Sequence, residues 1–292
     1  MASSDPVDEP VGAAGDPPSP PLLELFEYIP QRALVVVAHP DDGEFLAGAV
    51  LSAWCRQGCR AAVCVVTDGD AGSDDPSIPA GELSRVRLQE QRLASAHLGV
   101  SEVRCLGHAD GTLENTLAVR RDLVRMIREL RPEALITMDP GNRWFGRGYL
   151  NHPDHRAAGE AALDAAFPSA RDARTFPELL RDEGLQPHKV RFVFLGATPS
   201  PDIAVPFEPI DLGNKLAALG EHRSQFEVGD MRHEVEREAR RGGARAGVEL
   251  AECYRLFDLV PNPSQRGYGR APTPGPSPER LPRPKAPASQ WG

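Results

Sequence analysis

The chain is short of positive charge. Its 33 Lys and Arg face 42 Asp and Glu, a formal net charge of −9 with histidines neutral. That balance argues against nucleic acid or an anionic membrane as a partner. Long apolar runs are missing too. No segment approaches the roughly 18 consecutive apolar residues of a bilayer-spanning helix. The opening MASSDPVDEPVGAAGDPPSPP is acidic and proline-rich, with neither a basic nor an apolar stretch. It does not read as a secretory leader, and a cytoplasmic protein is expected. The five cysteines, Cys55, Cys59, Cys64, Cys105 and Cys253, are odd in number and fit reduced thiols. Cys55 and Cys59 are near enough in sequence to share a metal. No second Cys/His pair stands beside them at zinc-site spacing, so scattered thiols are the expectation. No internal repeat is present.

What is there is an alternation of strands and helices between two proline-rich ends. Residues 1–22 and 261–292 are polar and proline-rich, and disorder or polyproline II is expected for both. They flank one domain at 23–260. Within it, buried strands are expected at 33–38, 60–67, 102–106, 134–138 and 190–195. Helices are expected at 44–57, 82–98, 113–130, 153–166, 210–226 and 233–241. This order predicts an α/β fold with a Rossmann-like, mostly parallel sheet flanked by helices. Such sheets often hold dinucleotides. Here the first strand-to-helix turn lacks G-x-G-x-x-G and puts two acids where a pyrophosphate would sit. The P-loop pattern is also absent.

That turn is the informative stretch. Ala33 to Ala38 is an apolar, β-branched run that ends in His39-Pro40-Asp41-Asp42. In open α/β sheets, ligands bind beyond the carboxyl ends of the strands. Pro40 stiffens the turn. A second turn, Asn151-His152-Pro153-Asp154-His155, follows another strand across the loop 139–151 and opens a helix. Together they can supply two imidazoles and one carboxylate, His39, Asp42 and His155, the donor set of a catalytic metal site with one open position. A metal there lowers the pKa of water toward 7. Asp41 could take the water's proton. His152, one turn before His155, could stabilise an oxyanion or protonate a leaving amine. Asp154 could set a histidine tautomer. Zinc fits this donor set, and so does another divalent metal such as Fe2+.

On these residues the chain resembles the PIG-L/LmbE-like family of zinc-dependent deacetylases. The hallmark of that family is Ala-His-Pro-Asp-Asp with a nearby Glu, here Ala38 to Asp42 with Glu44, followed by His-x-Asp-His, here His152 to His155. The resemblance covers roughly Leu34 to Phe257. Thr67-Asp68-Gly69-Asp70-Ala71-Gly72, Arg87 with Glu90, Asp110-Gly111, Lys215, His222-x-Ser224-Gln225 and Ala251-Glu252-x-Tyr254-Arg255 agree with it. One departure is Gly43, which displaces the glutamate to position 44, where a helix-dipole role is its plain alternative.

The resemblance implies an LmbE-like fold and hydrolysis of an N-acetyl group on an N-acetylglucosamine-type sugar or glycoside. It implies His39, Asp42 and His155 as zinc ligands, Asp41 as general base, and His152 as the oxyanion-stabilising group supported by Asp154. Arg87 and Asp110 would contact the sugar. Alternatives are an amidase acting on a mycothiol-like conjugate, or a non-catalytic metal- or sugar-binding protein. The partner is then a small amino-sugar molecule. A homo-oligomer is compatible with this reading. Trp144 and Phe145 could wall a pocket over the metal as part of a mobile lid.

Overall fold

The computed structural model describes residues 22–260. The expected disordered ends therefore lie outside the described residues, apart from Leu22, which is placed. The strands are β1 (Glu24–Leu25), β2 (Arg32–Val37), β3 (Arg60–Thr67), β4 (Glu102–His108), β5 (Ala134–Met138), β6 (Trp144–Phe145), β7 (Tyr149–Leu150), β8 (Phe192–Gly196), β9 (Ile203–Pro206) and β10 (Ala251–Asp258). The helices are α1 (Asp42–Arg56), α2 (Ala80–His97), α3 (Leu117–Leu130), α4 (Pro153–Ala166), α5 (Pro177–Arg181), α6 (Pro209–Leu219) and α7 (Val228–Ala244).

Eight strands form one sheet in the order β1-β9-β10-β8-β5-β2-β3-β4. All pairings in it are parallel except those of β10, which runs antiparallel to both β8 and β9. The β2 side chains alternate between two cores, as the period of a strand requires. Val35 and Val37 pack with α1, α2 and α6, whereas Leu34 and Val36 pack with α3 and α4. Among the described residues no helix is long and apolar enough to cross a membrane.

Three short differences from the sequence expectation have physical causes. β1 and β9 are two and four residues long, too short for a period to show. β10 carries charges at Glu252, Arg255 and Asp258, which mask a strand pattern. The expected helix at 113–130 starts later, because Thr116 caps α3 by accepting from the Val119 N–H at 3.3 Å.

The helix that carries the first motif is riveted from behind. Lys215 Nζ donates to the Phe45 carbonyl at 2.8 Å and to Glu252 Oε1 at 2.7 Å, and the Tyr254 hydroxyl donates to the Leu46 carbonyl at 2.9 Å. Glu252 in turn accepts from the Ala49 and Val50 N–H groups in the middle of α1. Lys215 passes close to Gly48; a Cβ there would sit 3.0 Å from Lys215 Cγ. Both charges of the Lys215–Glu252 pair are about nine-tenths buried, and removing one partner of such a pair typically costs about 3–5 kcal/mol.

The second motif is positioned by close packing of α4 on β5. Gly159 lies against the Met138 carbonyl, and a Cβ at 159 would overlap that oxygen. Helix propensity alone favours alanine over glycine by about 1 kcal/mol. The overlap reverses the sign. Gly159→Ala is expected to destabilise by about 1–3 kcal/mol and to lower the thermal midpoint by several degrees in a melt followed by circular dichroism. An unchanged or raised midpoint would show that α4 is free to shift.

Candidate active site

The carboxyl ends of β2 and β5 are neighbours in the sheet, so the turns that follow them meet. His39 comes from the end of β2, Asp42 from the first turn of α1, and His155 from the first turn of α4. His39 Nδ1 and His155 Nε2 are 3.3 Å apart. Asp42 closes the triangle, with Oδ2 3.4 Å from His39 Nδ1 and Oδ1 3.1 Å from His155 Nε2. Asp42 is fixed by the His39 backbone N–H, which donates to Oδ2 at 2.8 Å.

The tautomers follow from what lies behind each ring. His155 Nδ1 is 3.1 Å from Asn151 Oδ1. That atom is the amide oxygen, because Asn151 Nδ2 donates to the Asn142 carbonyl at 2.7 Å. An acceptor at Nδ1 puts the proton there and leaves the Nε2 lone pair facing inward. His39 Nε2 lies 2.9 Å from Asp110 Oδ1 and 3.4 Å from Asp154 Oδ2, a charge contact shared between two carboxylates rather than a straight hydrogen bond to either. The proton of His39 therefore belongs on Nε2, and Nδ1 faces inward. With both ring protons turned outward, the three inward atoms are all acceptors. Positive charge placed between them, a proton on His39 Nδ1 or a bound cation, relieves their mutual repulsion, so the residues fit a divalent metal. His39, Asp42 and His155 each offer a donor atom, all within 4.8 Å of one another.

The electrostatics agree. Burial works against charge on His39, but the Asp110 and Asp42 carboxylates outweigh it and hold its pKa up at about 10. The point between the rings thus takes up positive charge. Burial also works against ionisation of Asp42, yet His155 and His39 hold its carboxyl well below the usual range. Asp41 behaves oppositely: burial first, then the neighbouring Asp42 charge, push it up to about 7, against the pull of Arg87.

His152 is the most open member, its side chain 39% exposed. It caps α4, its Nδ1 accepting from the Asp154 N–H at 3.2 Å. Burial and the nearby His39 lower its pKa, so it is neutral near pH 7. An occupied Nδ1 leaves the proton on Nε2, available as a donor. Asp154 is fully buried and accepts from the Gly111 and Leu113 N–H groups at 2.7 and 3.2 Å. Its tautomer-setting contact is with His39. Asp110 is equally engaged: besides His39 it accepts from the Ala71 N–H at 3.1 Å. Arg87 is 4% exposed and donates to the Gly69 and Pro40 carbonyls, 3.5 Å from Asp41 and 3.7 Å from Asp110.

The other expectations concern residues outside the triangle. Glu44 stands in the first turn of α1, away from solvent. It is fully buried, bonded to Gln91 and next to His222. Cys55 and Cys59 are free, and burial pushes the Cys59 thiol up to about 12. Trp144 and Phe145 lie on a two-stranded hairpin, β6 with β7, 61% and 38% exposed. A cavity of about 470 Å3 lies elsewhere, against α7, lined by Phe45, Leu46, Met138, Phe207 and Val235. None of the motif histidines or aspartates lines it. Sequence reading missed Asn142, Asn151 and Gln91. The available signal was spacing: Asn151 is four residues before His155, and Gln91 four after Arg87.

Comparison with known proteins agrees with this construction. The family model for GlcNAc-PI de-N-acetylase, PIG-L, matches residues 34–166. A diacetylchitobiose deacetylase of Thermococcus kodakarensis is 30% identical over 196 residues, 67% of this chain and 70% of that protein. A 1D-myo-inositol 2-acetamido-2-deoxy-alpha-D-glucopyranoside deacetylase of Catenulispora acidiphila is 28% identical over 53% of this chain and 54% of its own length. The structure of the N,N'-diacetylchitobiose deacetylase from Pyrococcus horikoshii superposes with a TM-score of 0.71 at 27% identity, covering 78% of this chain and 84% of that one. With a relative matched over most of both lengths, and both motifs brought into one crevice, the chain belongs to the PIG-L family of de-N-acetylases.

Proposed function

We propose that this protein is a metal-dependent hydrolase that removes the acetyl group from the nitrogen of an N-acetylglucosamine-type sugar or glycoside. The observation that carries the reading is the triangle of His39 Nδ1, His155 Nε2 and Asp42, three inward-facing acceptors at the mouth of a parallel sheet. Relatives named for diacetylchitobiose and for an inositol-linked acetamido sugar support the substrate class.

His39, Asp42 and His155 would hold the metal, with zinc the first choice for two imidazoles and one carboxylate. When bound, the metal supplies Lewis acidity, which polarises the acetyl carbonyl and makes water acidic enough to ionise near pH 7. The remaining chemistry belongs to the protein. Asp41, poised near neutrality, accepts a proton from the attacking water. The oxygen adds to the acetyl carbon, and the carbonyl electrons move onto its oxygen. His152 Nε2–H donates to that developing oxyanion. The tetrahedral centre then collapses, the C–N bond breaks, and the nitrogen leaves as the amine after taking the proton that Asp41 collected. Acetate is the other product. Asp110 and Asp154 keep the His39 proton on Nε2, and Asn151 keeps that of His155 on Nδ1, so the donor set does not drift.

Three outcomes are expected. Wild-type protein should hold about one divalent metal per chain by elemental analysis and His155→Ala almost none, since a three-ligand site does not survive loss of a ligand; equal metal in both would remove the assigned site. Asp41→Asn should keep its metal and lose about 10²–10⁴-fold in kcat, measured as amine release from N-acetylglucosamine, N,N'-diacetylchitobiose and an inositol-linked N-acetylglucosamine. Full activity would exclude Asp41 as the base. His152→Ala should keep its metal and lose about 10²–10³-fold in kcat, and a loss confined to KM would assign it to binding instead. If the metal-loaded wild type releases amine from none of the three compounds, the substrate class is wrong.

A further inference from the structure

Asp41 stands in the left-handed region, with φ at 98°, which is strained for a residue with a Cβ. Its own side chain makes no capping bond at the start of α1. Something else must hold this backbone, and two side chains of α2 do. The peptide joining Pro40 to Asp41 is gripped at both polar ends. The Pro40 carbonyl accepts from Arg87 Nη2 at 3.0 Å, and the Asp41 N–H donates to Gln91 Oε1 at 3.0 Å. Arg87 and Gln91 are four residues apart, one turn of α2, and so reach the same edge.

The direction of the Gln91 amide is itself dictated. Its Nε2 donates to Glu44 Oε1 at 2.8 Å and to Ser95 Oγ at 3.2 Å. A carboxylate accepts and does not donate, so the amide nitrogen must face Glu44 and the amide oxygen must face Asp41. The other Glu44 oxygen lies 3.2 Å from His222 Nε2. Gln91, Glu44, Ser95 and His222 are all fully buried, so water does not compete for these groups.

We infer that Gln91 is a positioning residue for Asp41: with Arg87 it clamps the Pro40–Asp41 peptide plane and keeps the strained backbone in the conformation that presents the carboxylate to the site, while Glu44, backed by His222, fixes which end of the Gln91 amide does so. This inference rests on the reading of Asp41 as general base. A network that served only the core would lower stability and leave the folded, metal-loaded enzyme at full turnover. A clamp acts on turnover itself.

The test is Gln91→Leu, similar in size and without either amide group, assayed as metal-loaded protein on whichever of the three N-acetylglucosaminyl compounds the wild type turns over fastest. The expected result is wild-type metal content, KM within about 2-fold, and kcat lowered about 10–100-fold, the scale of a small misplacement of a reacting group. The Asp41 amide should also exchange its hydrogen faster. A metal-loaded Gln91→Leu with wild-type kcat overturns the inference, as does a loss that merely follows lost metal. Should Gln91→Leu fail to fold, Glu44→Gln decides. It keeps the shape but can offer an amide nitrogen, which frees Gln91 to turn round. Lowered kcat at unchanged KM and metal content supports the clamp, and unchanged kcat overturns it. Asp41→Asn in the same assay separates the two levels. An active Asp41→Asn removes the base reading and the clamp with it. An inactive Asp41→Asn beside a fully active Gln91→Leu removes the clamp alone.

Discussion

Everything at the site depends on keeping two imidazole lone pairs aimed at one point. An imidazole has two nitrogens and one mobile proton, and either nitrogen can be the donor atom. Here each ring has an acceptor behind it that decides the matter: two carboxylates behind His39 and the Asn151 amide oxygen behind His155. Those acceptors are in turn fixed, Asp154 by two backbone N–H groups, Asp110 by another, and Asn151 by the Asn142 carbonyl. The order of the site is thus inherited from backbone positions in the loops after β3, β4 and β5, not from the rings themselves.

The arrangement places acidic groups in an unusual density. Asp42, Asp110 and Asp154 contact the two rings, Asp41 stands beside Asp42, and the guanidinium of Arg87 is buried near Asp41 and Asp110. A carboxylate cluster of this kind tolerates burial only beside a cation. Arg87 supplies part of that charge and also holds the Pro40 carbonyl, so one residue serves both the field and the backbone. The loop that follows β5 is tied to the same centre. Asn142 Nδ2 donates to the Ala197 carbonyl at 2.7 Å, which links the end of β8 through Asn151 to His155.

The β2, β3 and β5 strands were legible because a strand buried on both faces is an unbroken apolar run, and their boundaries match closely. The two His-Asp turns were legible because they follow such runs and contain proline. The antiparallel β10 was not, since charged residues interrupt it. Nor were the supports of the site. Gln91, Asn142 and Asn151 are ordinary polar residues in sequence, and only the folded chain buries them against the residues they hold. The resemblance implies Arg87 and Asp110 as sugar contacts; their buried partners around His39 and Asp41 leave no trace in the sequence. Glu44 could be read as a helix-end charge, because its His222 partner is far away in sequence. Long-range pairing of this kind leaves no local pattern.

The most direct measurement is anomalous diffraction at the zinc edge from crystals of the zinc-reconstituted protein. The account predicts one strong peak within bonding distance of His39 Nδ1, His155 Nε2 and an Asp42 oxygen, at the roughly 2.0–2.2 Å usual for such ligands. A peak at Cys55 and Cys59, or no peak among the motif residues, would contradict it.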